Sequence, residues 1–346
     1  MKESLLYKKL LNKTVNCRAC YQYCIVADGQ RGVCGVRANH NGKLYSLVYG
    51  KAIALNIDPI EKKPLFHFLP GSQSLSLATA GCNFKCLNCQ NADISQLTKG
   101  GQEVLGEEMS PKKIVEMALE NKTPSISYTY TEPTIFIEYA LDVMKLAHQK
   151  NIKNVWVTNG YFSPETFKLI SPYLDAANVD LKFFSDQFYQ QVCGARLQPI
   201  LDNLKLLKNG QVWLEITTLL IPGYTDQPSF TKAMDGKGGQ LEEIAKFIKN
   251  ELSSETPWHI SVFFPTYKMA NISPTPTKLV DRAYQIGKDA GLKYVYAGNV
   301  LGDKRENTHC PKCNKLNIER TNYQIKRLDK GGKCWNCQTD LNLILK

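Results

Sequence analysis

The sequence predicts an α/β protein in which helices cover a parallel sheet. Short runs rich in β-branched and aromatic residues recur along the chain, and helical patterns separate several of them. The expected strands are Ser74–Thr79, Ile126–Tyr130, Val155–Thr158, Val179–Phe183, Val212–Leu220, Ile260–Phe264 and Tyr294–Ala297. The expected helices include Pro111–Glu120, Ile135–Gln149, Pro164–Tyr173, Leu241–Leu252 and Leu279–Ala290. A series of about six or seven such units could curl into a full or partial barrel.

The composition restricts the class of protein. The chain has 346 residues, of which 43% are hydrophobic and 22% charged, as is ordinary for a soluble globular protein. No apolar run approaches the roughly 18 residues that a membrane-spanning helix needs. The first residues, MKESLLYKKLLNK, carry charges through their short apolar stretch and do not resemble a secretory signal. The composition therefore excludes membrane-spanning, collagen-like and wholly disordered proteins.

The chain divides into three expected domains. Residues 1–71 form a cysteine-rich, loop-rich lobe with an irregular connector, residues 72–303 carry the strand–helix alternation, and residues 304–346 break it. The net charge is +11, and the basic excess is strongest in the last segment. Such a surface could serve a nucleic acid, an acidic protein or solubility alone, so charge does not choose among them.

Twelve cysteines are the most informative feature of the sequence. Eleven fall into three groups: the N-terminal cysteines (Cys17, Cys20, Cys24 and Cys34), the central triad (Cys82, Cys86 and Cys89) and the C-terminal cysteines (Cys310, Cys313, Cys334 and Cys337). A disulfide framework is typical of short secreted chains, and this chain is neither short nor equipped with an export signal. The close spacings therefore indicate metal chemistry in a reducing cytoplasm. Cys193 has no paired neighbour and is predicted to be an ordinary thiol.

The central triad follows directly on the first expected strand. Its Cys-x3-Cys-x2-Cys spacing supplies three thiolates, one fewer than a [4Fe–4S] cluster held entirely by cysteine requires. One iron is thereby left open to chelate the amine and carboxylate of S-adenosylmethionine. The alternative is a structural zinc knuckle that takes its fourth ligand from elsewhere. The position at the carboxyl end of a strand, where α/β folds bind ligands, favours the cluster.

Motifs along nearly the whole chain resemble the radical S-adenosylmethionine superfamily, its branch related to pyruvate formate-lyase activating enzyme and, most closely, the radical enzymes of the AmmeMemoRadiSam system. These motifs are Cys17-x2-Cys20-x3-Cys24, Gly32-Val33-Cys34-Gly35-Val36-Arg37, Asp58-Pro59-Ile60-Glu61-Lys62-Lys63-Pro64-Leu65, His67-Phe68, Pro70-Gly71 and the central triad with Gln90-Asn91. The resemblance implies a partial (β/α)6-type TIM barrel as the radical core, with a cysteine-rich N-terminal lobe and a C-terminal zinc ribbon. It also implies reductive cleavage of S-adenosylmethionine to a 5′-deoxyadenosyl radical that abstracts hydrogen from a substrate.

The resemblance further implies which residues contact S-adenosylmethionine. Glu132, in the turn Tyr130-Thr131-Glu132-Pro133, would accept hydrogen bonds from the ammonium group; a solvated carboxylate at a strand end is the alternative. Thr158 and Asn159 would meet the ribose hydroxyls, although Asn-Gly is equally an ordinary turn.

Three later strands supply the other expected contacts. Asp180 and Lys182 share one face of a strand, where Lys182 would neutralise the methionine carboxylate; a surface ion pair is equally compatible. Ile221 would lie beside the adenine and His259 near the adenosine, although a lone histidine is more often structural. Asn88 departs from the family pattern, in which an aromatic residue often precedes the last cluster cysteine and packs near the adenine.

The outer cysteine groups each supply four thiolates. In the C-terminal group two Cys-x2-Cys pairs predict a zinc ribbon, because each pair gives two ligands to one tetrahedral ion. A rubredoxin-like iron site is the main alternative there. The N-terminal cysteines are compatible with zinc or with a second [4Fe–4S] cluster, and zinc is the favoured expectation.

The leading functional hypothesis is a radical enzyme that an external electron donor such as a ferredoxin or flavodoxin reduces. The resemblance implies association with Memo-like and AMMECR1-like proteins, and the substrate could be a peptide or protein residue or a small metabolite. Radical modification of RNA is an alternative, but the sequence has no recognisable RNA-binding module. A non-enzymatic zinc or iron–sulfur electron-transfer protein is another, and it gives Glu132, Thr158 and Asp180 no shared purpose.

Overall fold

A central eight-stranded sheet organises the computed structural model, which describes residues 1–227, 239–300 and 302–346. Its strands are β1 (Ala54–Pro59), β2 (Gln73–Ala78), β3 (Ser125–Tyr128), β4 (Lys153–Thr158), β5 (Ala176–Asp180), β6 (Trp213–Leu220), β7 (Trp258–Val262) and β8 (Val295–Gly298). Each strand pairs with the next one along the chain; β2 to β8 are parallel, and β1 is antiparallel at one edge. In the described part of the chain no pairing joins β1 to β8, so the sheet has two edges. The partial barrel stays a prediction that this consecutive order favours.

Helices connect the parallel strands. They are α1 (Pro111–Glu120), α2 (Ile137–Gln149), α3 (Pro164–Ile170), α4 (Gln198–Asn209), α5 (Gln240–Phe247) and α6 (Thr277–Asp289). The Ser110 hydroxyl accepts from the backbone N–H of Lys113, and Pro111 takes the first helical position, so α1 begins where its sequence predicts. Each of the seven expected strands and five named helices overlaps an observed element, although Val179–Phe183 shares only its first two residues with β5; α4 was not among the named helices.

Shorter elements complete the chain. Single turns of α-helix lie at Ala92–Ser95 and Asp186–Phe188; 3-10 turns lie at Ile60–Lys62, Leu97–Gly100, Pro133–Phe136, Tyr267–Met269 and Lys304–Glu306; π-turns lie at Tyr189–Cys193 and Ile248–Leu252. Strand β1 falls inside the expected irregular connector. It pairs along its whole length with β2, and Pro59 ends it at the sheet edge, where a residue without an N–H is tolerated.

The N-terminal lobe consists of two small antiparallel sheets. One contains Lys2–Glu3, Lys43–Ser46 and Arg37–His40, and the other Tyr7–Lys9, Val15–Cys17 and Ile25–Val26. A third antiparallel pair joins Lys51–Ala52 to Glu107–Glu108. The buried ion pair between Arg37 and Glu138 of α2, 2.7 Å long, fastens the lobe to the core.

The C-terminal segment forms a three-stranded antiparallel sheet of Thr308–His309, Leu316–Thr321 and Gln324–Arg327. It packs on the core through the buried Arg320, whose guanidinium donates to the Phe66 carbonyl at 2.8 Å. His67 also accepts a backbone hydrogen bond from Ile344 at its carbonyl. No helix in the described ranges is long and apolar enough to span a membrane.

Candidate functional site

A cavity of about 540 Å³ opens at the carboxyl ends of the parallel strands, and its size is within the usual range for ligand sites. Its walls come from the loops after β2, β3, β4 and β5, from β6 to β8, and from the C-terminal segment. The lining residues include Cys82, Phe84, Cys86, Asn88, Cys89, Glu132, Thr158, Asn159, Asp180, Lys182, Leu219, His259, Glu306 and Tyr323. Six of the seven residues expected to contact S-adenosylmethionine and all of the central triad therefore share one cavity.

The central triad lies in the loop that follows β2. The backbone N–H of Phe84 donates to the Cys82 sulfur at 3.4 Å, and the Cys89 sulfur lies 3.1 Å from the Ser95 hydroxyl. Burial raises the pKa of the Cys82 thiol, so a positively charged group such as a metal centre is needed to favour its thiolate. Gly81 has φ +98°, and a side chain there would meet Cys34 and Val36 of the N-terminal lobe. Only glycine fits this approach to the triad.

The geometry of the triad argues against the zinc-knuckle alternative. Among the residues that the structure describes, the C-terminal cysteines are the only group of three or more His, Cys, Asp or Glu whose ligand atoms all lie within 4.8 Å of one another. One zinc ion requires such closeness, because its Zn–S bonds are about 2.3 Å long. A [4Fe–4S] cluster binds the three thiolates at three different irons, so it does not require the sulfurs to lie this close together.

Cys193 lies beside the triad, which the sequence did not indicate. A hydrogen bond with the Cys193 thiol raises the pKa of the Cys86 thiol well above its usual value. The backbone supports the contact, because the N–H groups of Lys85 and Leu87 donate to the carbonyls of Cys193 and Val192. No local motif links two cysteines so far apart in the chain.

Glu132 is buried at the turn after β3, and its carboxylate accepts hydrogen bonds from nearby side-chain and backbone donors. One oxygen accepts from the Thr134 hydroxyl at 2.5 Å and from the Thr158 hydroxyl at 2.8 Å; the other accepts from the backbone N–H of Asn159 at 2.8 Å. Burial raises the pKa of Glu132, and these donors oppose that shift. The carboxylate thus ties the end of β3 to the end of β4, and its contact with an ammonium group stays a prediction.

Thr158 and Asn159 are engaged in the same network. The Asn159 amide donates to the side-chain oxygen of Asn83 in the triad loop at 2.7 Å, and its oxygen accepts from the backbone N–H of Tyr161 at 3.0 Å. The expected Asn-Gly turn is present, since Gly160 has φ +71°. Both residues line the cavity, and their contacts with a ribose stay predictions.

Asp180 and Lys182 form an ion pair of 2.7 Å at the cavity wall, not on the outer surface. Burial disfavours the Lys182 ammonium, but Asp180 and the neighbouring Cys86 outweigh that effect and hold the pKa of Lys182 well above its usual value. The cavity therefore contains a positive charge close to the triad, as an anionic carboxylate would require.

His259 is held from behind by a carboxylate. Its Nε2 lies 2.6 Å from Glu215, its ring stacks on Tyr296, and it is almost fully buried. Although burial opposes ionisation of Glu215, the hydrogen bond with His259 outweighs it and lowers the pKa of Glu215 to about 2. His259 therefore packs in the core through Glu215 and Tyr296 and also lines the cavity.

Ile221 and Asn88 differ in their surroundings from the other candidate residues. Ile221 is buried in the core and its carbonyl accepts from the backbone N–H groups of Tyr224 and Thr225; it does not line the cavity, where Leu219 of the same segment does. Asn88 lines the cavity with a buried side-chain oxygen that has no hydrogen-bond partner in the described structure. Such an oxygen fits a ligand that donates a hydrogen bond, as an adenine amino group does.

The C-terminal segment also contributes to this cavity. Glu306 and Tyr323 line it, although both lie in the segment expected to form a separate ribbon. Burial raises the pKa of Glu306 to about 7. No sequence signal marked either residue, because their position depends on how the segment packs against β8.

The outer cysteine groups lie in two different environments. In the C-terminal group the sulfurs of Cys310 and Cys337 are 3.5 Å apart and those of Cys313 and Cys334 are 3.6 Å apart. A hydrogen bond from the Thr339 hydroxyl lowers the pKa of Cys337 to about 6, which favours a thiolate ligand. The N-terminal cysteines surround a separate cavity in their own lobe.

Comparisons with known proteins agree with this geometry. A model described as the radical SAM superfamily (SAM, S-adenosylmethionine) matches residues 76–229. An uncharacterized protein of Methanocaldococcus jannaschii is 44% identical over 348 residues, which cover 100% of both chains. The pyruvate formate-lyase 1-activating enzyme of Escherichia coli K12 is 24% identical over 227 residues, 62% of this chain and 89% of that one.

A solved structure shows the same fold. Streptococcus suis SuiB bound to precursor peptide SuiA superimposes with a TM-score of 0.50 and 14% identity, covering 70% of this chain and 52% of that one. The family match, the relatives and the triad at the end of the first parallel strand lead to one assignment. The chain contains a radical SAM superfamily domain at residues 76–229 and is an enzyme related to pyruvate formate-lyase activating enzymes.

Proposed function

We propose that the protein binds a [4Fe–4S] cluster at the central triad and cleaves S-adenosylmethionine reductively. The bound cluster and nucleotide would supply a 5′-deoxyadenosyl radical that abstracts hydrogen from a substrate. The observation that carries the proposal is the shared cavity, in which the three thiols of the central triad lie beside the polar ends of β3, β4 and β5. The substrate class remains a peptide or protein residue or a small metabolite.

The chain's own residues have distinct parts in this proposal. Lys182 would bind the methionine carboxylate, and Asp180 holds its ammonium in place across 2.7 Å. Thr158 and Asn159 would meet the ribose, and Glu132, which accepts hydrogen bonds from both of them, would contact the ammonium group. His259 and Leu219 would support the adenosine, and the Asn88 side-chain oxygen, which has no partner among the described residues, would accept from the adenine. The surrounding walls would exclude water from the radical.

The remaining cofactors and partners belong to the same proposal. An external donor such as a flavodoxin or ferredoxin would reduce the cluster, and Memo-like and AMMECR1-like proteins would associate with the enzyme, as the resemblance implies. The C-terminal cysteines would bind zinc, which their thiol spacing supports. The three groups of metal-binding cysteines would need reduced thiols, and this favours a location in the reducing cytoplasm.

The decisive experiment is anaerobic cluster reconstitution followed by addition of dithionite and S-adenosylmethionine. We expect formation of 5′-deoxyadenosine in the wild type and its loss in Cys86→Ala. Cys193→Ala is the matched control, because Cys193 contacts Cys86 but is not expected to ligate iron. Loss of product in Cys86→Ala alone would support the proposal, whereas a triad that binds zinc in anaerobic protein would contradict it.

A further inference from the structure

A second group of four cysteines surrounds its own cavity in the N-terminal lobe. Cys17, Cys20, Cys24 and Cys34 all line this cavity; three of them are buried and Cys24 is half-buried. All four are free thiols. Four thiols that converge in one cavity fill a closed coordination shell, so the question is which metal centre the cavity fits.

We propose that the N-terminal cysteines hold a second [4Fe–4S] cluster and not zinc. The first argument is the spacing of the sulfurs. In the described chain no three of these thiols lie mutually within 4.8 Å, although they line one cavity. One tetrahedral zinc requires closer sulfurs, whereas the four thiolates of a cluster sit on four different irons and lie farther apart.

The other two cysteine groups of the chain show what sulfur spacing to expect for zinc and for a cluster. The C-terminal cysteines, whose sequence pattern predicts zinc, already have pairs of sulfurs 3.5 and 3.6 Å apart. The central triad, whose pattern predicts a cluster, lacks that closeness. The N-terminal cysteines share the wider arrangement of the triad, although they could supply four ligands as the C-terminal group does.

The second argument is a pair of buried hydrogen-bond donors in the cavity wall. Arg37 and Asn83 both line the cavity and are 2% and 1% exposed. Nε of Arg37 and Nδ2 of Asn83 have no hydrogen-bond partner in the described structure, whereas the other Arg37 nitrogens donate to Ser4 and Glu138. Buried donors without partners are rare in native proteins. A cluster offers four bridging sulfides besides its thiolates as acceptors, whereas zinc offers thiolates alone.

The position of the cavity suggests a use for the cluster. Asn83 follows Cys82 in the chain, so one residue of the triad loop forms part of the N-terminal cavity wall. The Cys34 carbonyl packs against Gly81, and the Thr98 hydroxyl donates to that carbonyl at 3.1 Å. The second cluster would accept one electron from a protein donor of the flavodoxin or ferredoxin class, and would be reoxidised when that electron passes to the triad cluster. This relay rests on the proposed function, but the presence of the second cluster does not.

Metal and sulfide analysis of the anaerobically reconstituted full chain tests the proposal. The variant Cys82→Ala/Cys86→Ala/Cys89→Ala is expected to retain about four iron and about four sulfide per chain. Its reduced cluster should give an electron paramagnetic resonance signal that does not change when S-adenosylmethionine is added. A triad variant with no iron and with about two zinc per chain would overturn the proposal.

The complementary variant is Cys17→Ala/Cys20→Ala. It should also retain about four iron, and its signal should respond to S-adenosylmethionine. If either variant does not fold, the wild type still decides, because about eight iron and about one zinc are expected per chain, against about four iron and about two zinc for a zinc-filled lobe. If no S-adenosylmethionine is cleaved, the proposed function fails, but the iron count of the triad variant still decides the second cluster.

Discussion

The Glu132 carboxylate accepts a hydrogen bond of 2.8 Å from the backbone N–H of Asn159, which joins the ends of two neighbouring strands at the candidate site. The same carboxylate also accepts from the Thr134 and Thr158 hydroxyls. The Glu132 carboxylate thereby positions Thr158 and Asn159, which both line the cavity. Charge-assisted hydrogen bonds of this kind stabilise the fold.

Replacing Glu132 by glutamine should destabilise the folded protein by about 2 kcal/mol, because the amide nitrogen would then face donors and leave one of them unpaired. Anaerobic thermal unfolding measures the change. Glu120→Gln is the matched control, since Glu120 is exposed at the end of α1. Unchanged stability of Glu132→Gln, with lost binding of S-adenosylmethionine, would instead mark Glu132 as a ligand contact without a structural role.

The sequence predicts most of the sheet, because β-branched runs and helical periodicity are local signals that tertiary packing reinforces. It also predicts that Asp180 and Lys182 lie at the cavity, since the carboxyl ends of parallel strands share one edge, whereas His259 lies near the start of β7 and was expected there only from the family resemblance. The contact of Cys193 with Cys86 and the entry of Glu306 into the cavity were not predictable. Both depend on packing between segments far apart in the chain, which no local pattern encodes.

The buried ion pair between Arg37 and Glu138 should be essential for docking of the N-terminal lobe. Both side chains are at most 3% exposed, so removing one partner leaves the other charge buried without compensation. Glu138→Gln should therefore lower the free energy of unfolding by about 3–5 kcal/mol. Thermal unfolding or loss of the lobe's protection in hydrogen exchange would report the effect.

The exposed pair of Lys112 and Glu116 on α1 is the control for this prediction. Glu116→Gln should change stability by less than about 0.5 kcal/mol, because exposed pairs are screened by water. Equal effects of the two substitutions would contradict a docking role for Arg37 and Glu138.

His67 should make the protein less stable in mild acid. Burial lowers the pKa of His67 from 6.5 to about 4. The unfolded chain therefore binds a proton below about pH 6.5 that the folded protein does not, so stability is lost as pH falls from 6.5 toward 4. The loss from this group should reach about 3 kcal/mol at the acid end.

Unfolding of the wild type and of His67→Gln across this pH range checks the prediction, because both proteins share any acid sensitivity of the clusters. The wild type should lose stability more steeply than the variant. His40→Gln, at an exposed position, should follow the wild-type profile. Parallel profiles for the wild type and His67→Gln would show that His67 does not set the acid limit.

Removal of the zinc proposed at the C-terminal cysteines should loosen one wall of the candidate cavity. Cys334 is buried and its sulfur lies 3.6 Å from that of Cys313, so Cys334→Ser should abolish binding of about one zinc per chain. The segment has a small core of its own, and metal binding is expected to supply much of its stability. The backbone of residues 308–327 should then exchange hydrogen faster.

Glu306 and Tyr323 line the cavity from this segment, so the same variant should also bind S-adenosylmethionine or its substrate more weakly. Metal analysis and hydrogen exchange measure the two effects separately. Cys193→Ser, outside the C-terminal group, should keep both the zinc and the slow exchange. If Cys334→Ser lost zinc but left exchange and ligand affinity unchanged, the contacts of Arg320 with the core, and not the metal, would hold this wall in place.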